Sequence, residues 1–195
     1  MVGIVTKPPI VVDSVFTEPD FIRLRSLFTN PKSFEFQNGF SRWVAADNRI
    51  PELHNYAYLL TPLARSLFGS TTLLPTYTLF SHYEGPDARL HKHKDDNACT
   101  YTVDMCVYQK HSWDLYVEGN PYTLQPNQAL AYYGNDQEHW REAFPEPSTN
   151  HVAMIFFHFA EPSHWFFTKG PSYLNVLRGT TSEEEWLNTN SLPKS

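Results

Sequence analysis

From residue 71 onward the chain is a succession of short runs rich in Thr, Tyr, Val and Phe, each cut off by Gly, Pro or Asn. Six candidate strands stand out, over 72–83, 99–109, 113–117, 128–133, 138–144 and 151–159. Within the second, Tyr101, Val103, Met105 and Val107 alternate with Thr100, Thr102, Asp104 and Cys106, a period of two with one apolar face. The last, Val152 to Phe159, is apolar on both faces and reads as a buried strand. Turn signals fall at EGPD, EGNP, QPNQ and YGND. Many short strands so punctuated imply a sandwich or closed barrel.

The first third reads differently. Thr17 is placed to cap a helix through Leu27 and Phe28, with Phe21, Leu24, Leu27 and Phe28 on one stripe. Pro51 suits the first turn of a second helix carrying Leu53, Tyr56, Leu60, Leu63 and Leu67, and Gly69 suits its end. Phe34, Phe36, Phe40 and Trp43 lie between them and read as core rather than a lid. Ser182 to Glu185 forms a capping box for a short last helix.

Composition narrows the function. With 41% hydrophobic residues in 195 the chain is globular, and a formal charge of −6 offers no basic field to nucleic acid. No apolar run approaches the roughly 18–20 residues of a membrane helix, nor does the N-terminus read as a signal peptide. The expectation is a cytoplasmic protein. Cys99 and Cys106, read on one strand, would point to opposite faces about 23 Å apart at ~3.3 Å per residue, so both are expected as free thiols.

The segment Ala88 to Asp96 contains His93-Lys94-Asp95. On an extended segment this spacing points an imidazole and a carboxylate the same way. Two histidines and one carboxylate on a facial arc suit Fe(II), because three further positions stay open. His139 lies far enough downstream for antiparallel strands to return it to the same mouth. His91 and the His82-Tyr83-Glu84 triplet are weaker competitors, lacking that downstream pattern. His111, His158 and His164 read as surface or hydrogen-bonded core residues.

The order Tyr83-Glu84-Gly85, Leu90-x-x-His93-x-Asp95, an apolar strand and then His139 resembles the Fe(II)/2-oxoglutarate dioxygenases of the double-stranded β-helix type, in their prolyl-hydroxylase-like form. The segment YYGNDQEHWREAF followed by IFFHF is similar to a bacterial and viral subgroup of that family. The resemblance spans roughly 83–159 and implies one oxygenase domain over 1–195, mainly β with flanking helices. In it a jelly-roll core over 71–160 would pack against a helical part, 1–70, with a C-terminal extension over 161–195.

By the same resemblance Fe(II) would be held by His93, Asp95 and His139, with 2-oxoglutarate and O2 as cosubstrates. The reaction expected is hydroxylation of an unactivated C–H bond in a small molecule or amino-acid residue, releasing succinate and CO2. Asp95 argues against halogenation, since halogenating relatives leave that position without a carboxylate. One departure concerns the cation that many relatives place shortly after the distal histidine to grip the far carboxylate of 2-oxoglutarate. Here that stretch reads Thr149-Asn150-His151. Arg141 is the available substitute, on the strand face of His139 and ~6.7 Å from it. His151 would serve only if protonated, and Tyr83 would add a phenolic hydrogen bond. Tyr101, Met105 and Trp140 are candidate substrate-lining residues. Two rival readings stay open: a cupin-type metal enzyme that does not use 2-oxoglutarate, and a non-catalytic binding module.

Overall fold

A computed structural model describes residues 7–145 and 149–167. Two antiparallel sheets face each other as a double-stranded β-helix, or jelly roll. The larger contains β1 (Ile10–Val12), β2 (Glu35–Gln37), β3 (Arg42–Ala46), β4 (Leu74–Glu84), β6 (Tyr101–Gln109), β9 (Ala129–Tyr132) and β11 (His151–Ala160), in the order β1-β9-β6-β11-β4-β3-β2. The smaller runs β5 (Leu90–His93), β10 (His139–Arg141), β7 (Leu115–Val117) and β8 (Asn120–Tyr122).

The period-two alternation divides each central strand between two cores. Val103, Met105 and Val107 of β6, with Ala153, Ile155 and Phe157 of β11, face the helices. Cys106 of β6, with Val152, Met154 and Phe156 of β11, faces the small sheet. Helix α1 (Glu18–Ser26) is capped by Thr17 and buries Phe21 and Leu24. Phe28, just beyond it, stacks on Phe80 of β4 with ring centroids 3.9 Å apart. Helix α2 (Glu52–Phe68) buries Leu53, Ala57, Leu60 and Ala64 and ends at Gly69, whose φ of 70° is the left-handed conformation glycine adopts without steric cost. Truncating a core leucine such as Leu53 would cost ~2–5 kcal/mol.

β7 and β8 form a hairpin through Glu118 and Gly119, both at positive φ (49° and 81°). Positive φ at both central residues matches the right-handed twist of the flanking strands. The hairpin also steadies the site, because the Glu118 N–H donates to the Glu138 carbonyl (2.8 Å), next to His139.

Several expectations are corrected. Among the described residues up to 70 there are three strands beside the two helices, so that part is not simply helical. These strands have only three to five residues, too few for alternation to register. Phe36 is 46% exposed rather than core, whereas Phe34 and Phe40 are half-buried and pack against the two cores, Phe40 also lining the cavity described below. Cys99 closes a short 3-10 turn (Asn97–Cys99) ahead of β6, so the two cysteines do not share a strand, though both are free and buried. The expected helix at Ser182 lies outside the described residues.

Candidate metal centre and its cavity

The paired strands β5 and β10 set His139 opposite His93. Asp95, just past the end of β5, is held by its own N–H donating to the Gly134 carbonyl (2.9 Å). The Nε2 atoms of His93 and His139 each lie 3.4 Å from Asp95 Oδ1. All three donor atoms fall within 4.8 Å of one another.

The histidine tautomers follow from their other nitrogens. His93 Nδ1 lies 2.7 Å from the His91 carbonyl oxygen, and His139 Nδ1 lies 3.0 Å from that of Gln137. A carbonyl only accepts, so each Nδ1 carries the proton and each Nε2 keeps its lone pair for the shared point. Thr102 Oγ1 donates to Asp95 Oδ2 (3.3 Å), leaving Oδ1 for that point. Burial pushes the Asp95 carboxyl up, but in the metal-free protein the protonated forms of His139 and His93 hydrogen-bond to it and hold it well below the usual carboxylate range. Burial likewise opposes a charged His139, yet Asp95 wins and its basicity rises.

Gly134 is required here for space. A Cβ at this position would collide with Asp95 Oδ2, Thr102 Oγ1 and the Cys99 carbonyl. The YGND turn can therefore press directly on the carboxylate only with glycine.

Asp95, Cys99 and His158 form a second group of potential ligands. It is the poorer candidate. Burial holds the Cys99 thiol well above its ordinary pKa, and its sulfur is hydrogen-bonded to Tyr77 Oη (3.0 Å). The two groups also compete for Asp95. The His93, Asp95 and His139 set fits a facial-triad metal such as Fe(II), with oxygen and imidazole donors, fixed tautomers and an open side.

That open side faces a cavity of about 760 Å³. Its apolar wall includes Val44, Leu79 and Phe156, and its polar wall Arg42, Asp104, Tyr132 and His158. Asp104 is 1% exposed, and its Oδ2 accepts from Tyr132 Oη (2.9 Å) while Oδ1 has no partner. Burial pushes this carboxyl up to about 7.

Arg141 of β10 does not line this cavity; it is buried between the sheets and is 2% exposed. Its Nη1 donates to the Trp113 carbonyl (2.5 Å), its Nη2 lies 3.6 Å from Met154 Sδ, and its Nε has no partner. Among the described residues no carboxylate comes within ion-pair distance of it. Arg141 is thus not paired with Glu138, Glu142 or Asp136 at the rim. A buried guanidinium without an anionic partner is costly to the fold. Burial alone moves its pKa below the ordinary arginine value.

Tyr83, wholly buried, stands beside Arg141 against the Trp113 ring, but its hydroxyl already accepts from Arg42 Nη1 (2.8 Å). Neither Tyr83 nor Arg141 lines the cavity, and the other sequence candidates do not reach it either. His151 lies on the opposite face of β11, near the His82 and Tyr108 rings. Met105 is buried on the helix side, and Tyr101 packs there against Phe68 and Tyr133. Trp140 stacks outside the small sheet on Tyr116. The parity of its strand explains each case, because neighbours of an inward residue point outward. Thr102 and Asp104 carry the parity that faces the cavity, and this was the available signal for them. Arg42 and His158 gave no signal in the sequence.

No protein-family model matches the chain, and no curated protein matches it in sequence. Solved structures do match in shape. A 2OG-Fe(II) oxygenase family oxidoreductase from Burkholderia pseudomallei superposes with a TM-score of 0.60 at 9% identity, over 78% of this chain and 84% of that one. The fold is that of 2-oxoglutarate/Fe(II) oxygenases. HygX from Streptomyces hygroscopicus, with nickel, 2-oxoglutarate and hygromycin B bound, gives a TM-score of 0.60 at 11% identity over 80% and 83%. A Pseudomonas putida prolyl-4-hydroxylase gives 0.56 at 9% over 80% and 93%.

Proposed function

We propose that the chain is a non-haem Fe(II) oxygenase that consumes 2-oxoglutarate and O2, hydroxylating a small-molecule or amino-acid-type substrate. The observation that carries this is the convergence of His93 Nε2, Asp95 Oδ1 and His139 Nε2 at the edge of a cavity. Bound there, Fe(II) would supply oxygen activation coupled to decarboxylation of 2-oxoglutarate to succinate and CO2.

The chain's own residues would do the rest. The carbonyls of His91 and Gln137 fix the two imidazoles, and Thr102 fixes the carboxylate. Arg141 would take the distal carboxylate of 2-oxoglutarate through the donors the fold leaves without an anion. Val44, Leu79 and Phe156 would keep water from the reacting centre. A cavity of about 760 Å³ suits a small ligand, since such sites span ~300–1,000 Å³. The fold shared with HygX and the prolyl-4-hydroxylase supports the same class. Two free thiols support a reducing, cytoplasmic setting.

Incubation with Fe(II), 2-oxoglutarate and air tests the reading. Succinate should form only with Fe(II), and His139→Ala should abolish it. Tight Fe(II) binding without any consumption of 2-oxoglutarate would point instead to a cupin-type enzyme.

A further inference from the structure

The cavity wall itself carries a cation, distinct from the buried Arg141. Arg42 opens β3, whose alternate residues Arg42, Val44 and Ala46 line the cavity. Its Nε donates to Gln37 Oε1 (2.7 Å) on the paired strand β2, and its Nη1 donates to Tyr83 Oη (2.8 Å). The guanidinium carbon sits 4.4 Å from the centroid of the Phe40 ring. Three contacts therefore fix the plane of the fork. Its Nη2 makes no hydrogen bond, and no carboxylate is within ion-pair distance, among the described residues. Lys32, by contrast, pairs with Glu84 at 2.8 Å.

Tyr83 separates the two arginines. Arg141 is buried behind the cavity wall, whereas Arg42 is half-buried on the wall itself. A second arginine, Arg49, lies on that wall too, held loosely by the Ser33 carbonyl (3.2 Å) and exposed. The acid of this rim, Glu35, is exposed and pairs with neither arginine. A fixed guanidinium with a free donor edge, in a cavity that also presents the metal ligands, is built to receive an oxyanion bidentately or through one strong contact.

We propose that the substrate carries a carboxylate or phosphate, received at the cavity mouth by Arg42 with Arg49 beside it. This rests on the oxygenase reading above, in which Arg141 serves the cosubstrate and leaves Arg42 for the substrate. Phe40 and Val44, next to Arg42 on the wall, would lie along the apolar part of such a molecule.

The test uses the full chain with Mn(II) as a redox-inert stand-in and saturating 2-oxoglutarate. Small carboxylic acids, organic phosphates and uncharged amides or alcohols of matched size are screened by thermal shift, and hits are titrated by calorimetry. Acids or phosphates should bind at least about tenfold tighter than their neutral counterparts. Preference between the two arms identifies which oxyanion fits. Arg42→Met should erase the discrimination, Arg42→Lys should restore part of it, and Arg49→Met should weaken it less. Mn(II) and 2-oxoglutarate affinities should hold in all three, which also reports on folding. Equal binding of charged and neutral members, or no binding by any, would overturn the proposal. A loss of 2-oxoglutarate affinity in Arg42→Met would also overturn it, by making Arg42 the cosubstrate anchor. If the wild type binds no 2-oxoglutarate, the oxygenase reading fails separately, and the same screen on Mn(II)-loaded protein still decides Arg42.

Discussion

Arg141 of β10 reaches across the jelly roll to Met154 of β11, its Nη2 3.6 Å from that sulfur and its Nε without a partner. A thioether is a weak acceptor for a charged donor, so the contact fills space without neutralising the charge.

Arg141→Ala should therefore raise the 2-oxoglutarate requirement by roughly thirty-fold or more, in line with ~2–5 kcal/mol for removing one partner of a desolvated charge pair. Metal binding should survive. Without ligand, Arg141→Met should melt no lower than the wild type, because it removes a buried unpaired charge. Isothermal titration and thermal melts with and without 2-oxoglutarate check both halves.

Gly134→Ala should impair metal binding at least tenfold or destabilise the fold by ~1–3 kcal/mol, since the new methyl must displace Asp95, Thr102 or the Cys99 backbone. Gly39→Ala, with nothing within 4 Å of the added carbon, is the control and should change neither. Mn(II) titration and denaturant melts of both variants decide the matter.

The Asp104 carboxyl, raised by burial from the ordinary aspartate range to about 7, binds its proton more tightly folded than unfolded. Between about pH 4 and 7 the native state thus holds more protons, so this group lowers stability as pH rises, by up to about 4 kcal/mol at ~1.4 kcal/mol per unit. Metal-free Asp104→Asn should match the wild type near pH 4 and exceed it near pH 8. Chemical denaturation at the two pH values measures the difference.

Cys99 is wedged beside Tyr77, and Cys106 lies between the sheets with its thiol pushed up to about 12 by burial. Both should resist alkylation in the native protein. Thiol titration after unfolding without reductant should count two; a count of zero in the monomer would contradict the cysteine assignment.

Long strands and their parity were legible in the sequence, because β4, β6 and β11 have enough residues for alternation or sustained burial to register. β5 was not, since Leu90 is its one apolar residue, nor was β8, which carries Pro121 on an edge. The convergence of His93 and Asp95 was legible through their spacing, and the approach of His139 to them through its distance downstream. Arg42 was invisible, because its partner Tyr83 lies on another strand and only the β3–β4 register joins them. His151 was misleading for a related reason. Its place in the chain suits an anchor, but its parity on β11 turns it away from the cavity.

Sequential calorimetry with Mn(II) and then 2-oxoglutarate probes the metal centre and its cosubstrate together. One Mn(II) per chain should bind, 2-oxoglutarate should bind only once the metal is present, and both should be lost in His139→Ala. Binding of 2-oxoglutarate without metal, or none with metal bound, would contradict it.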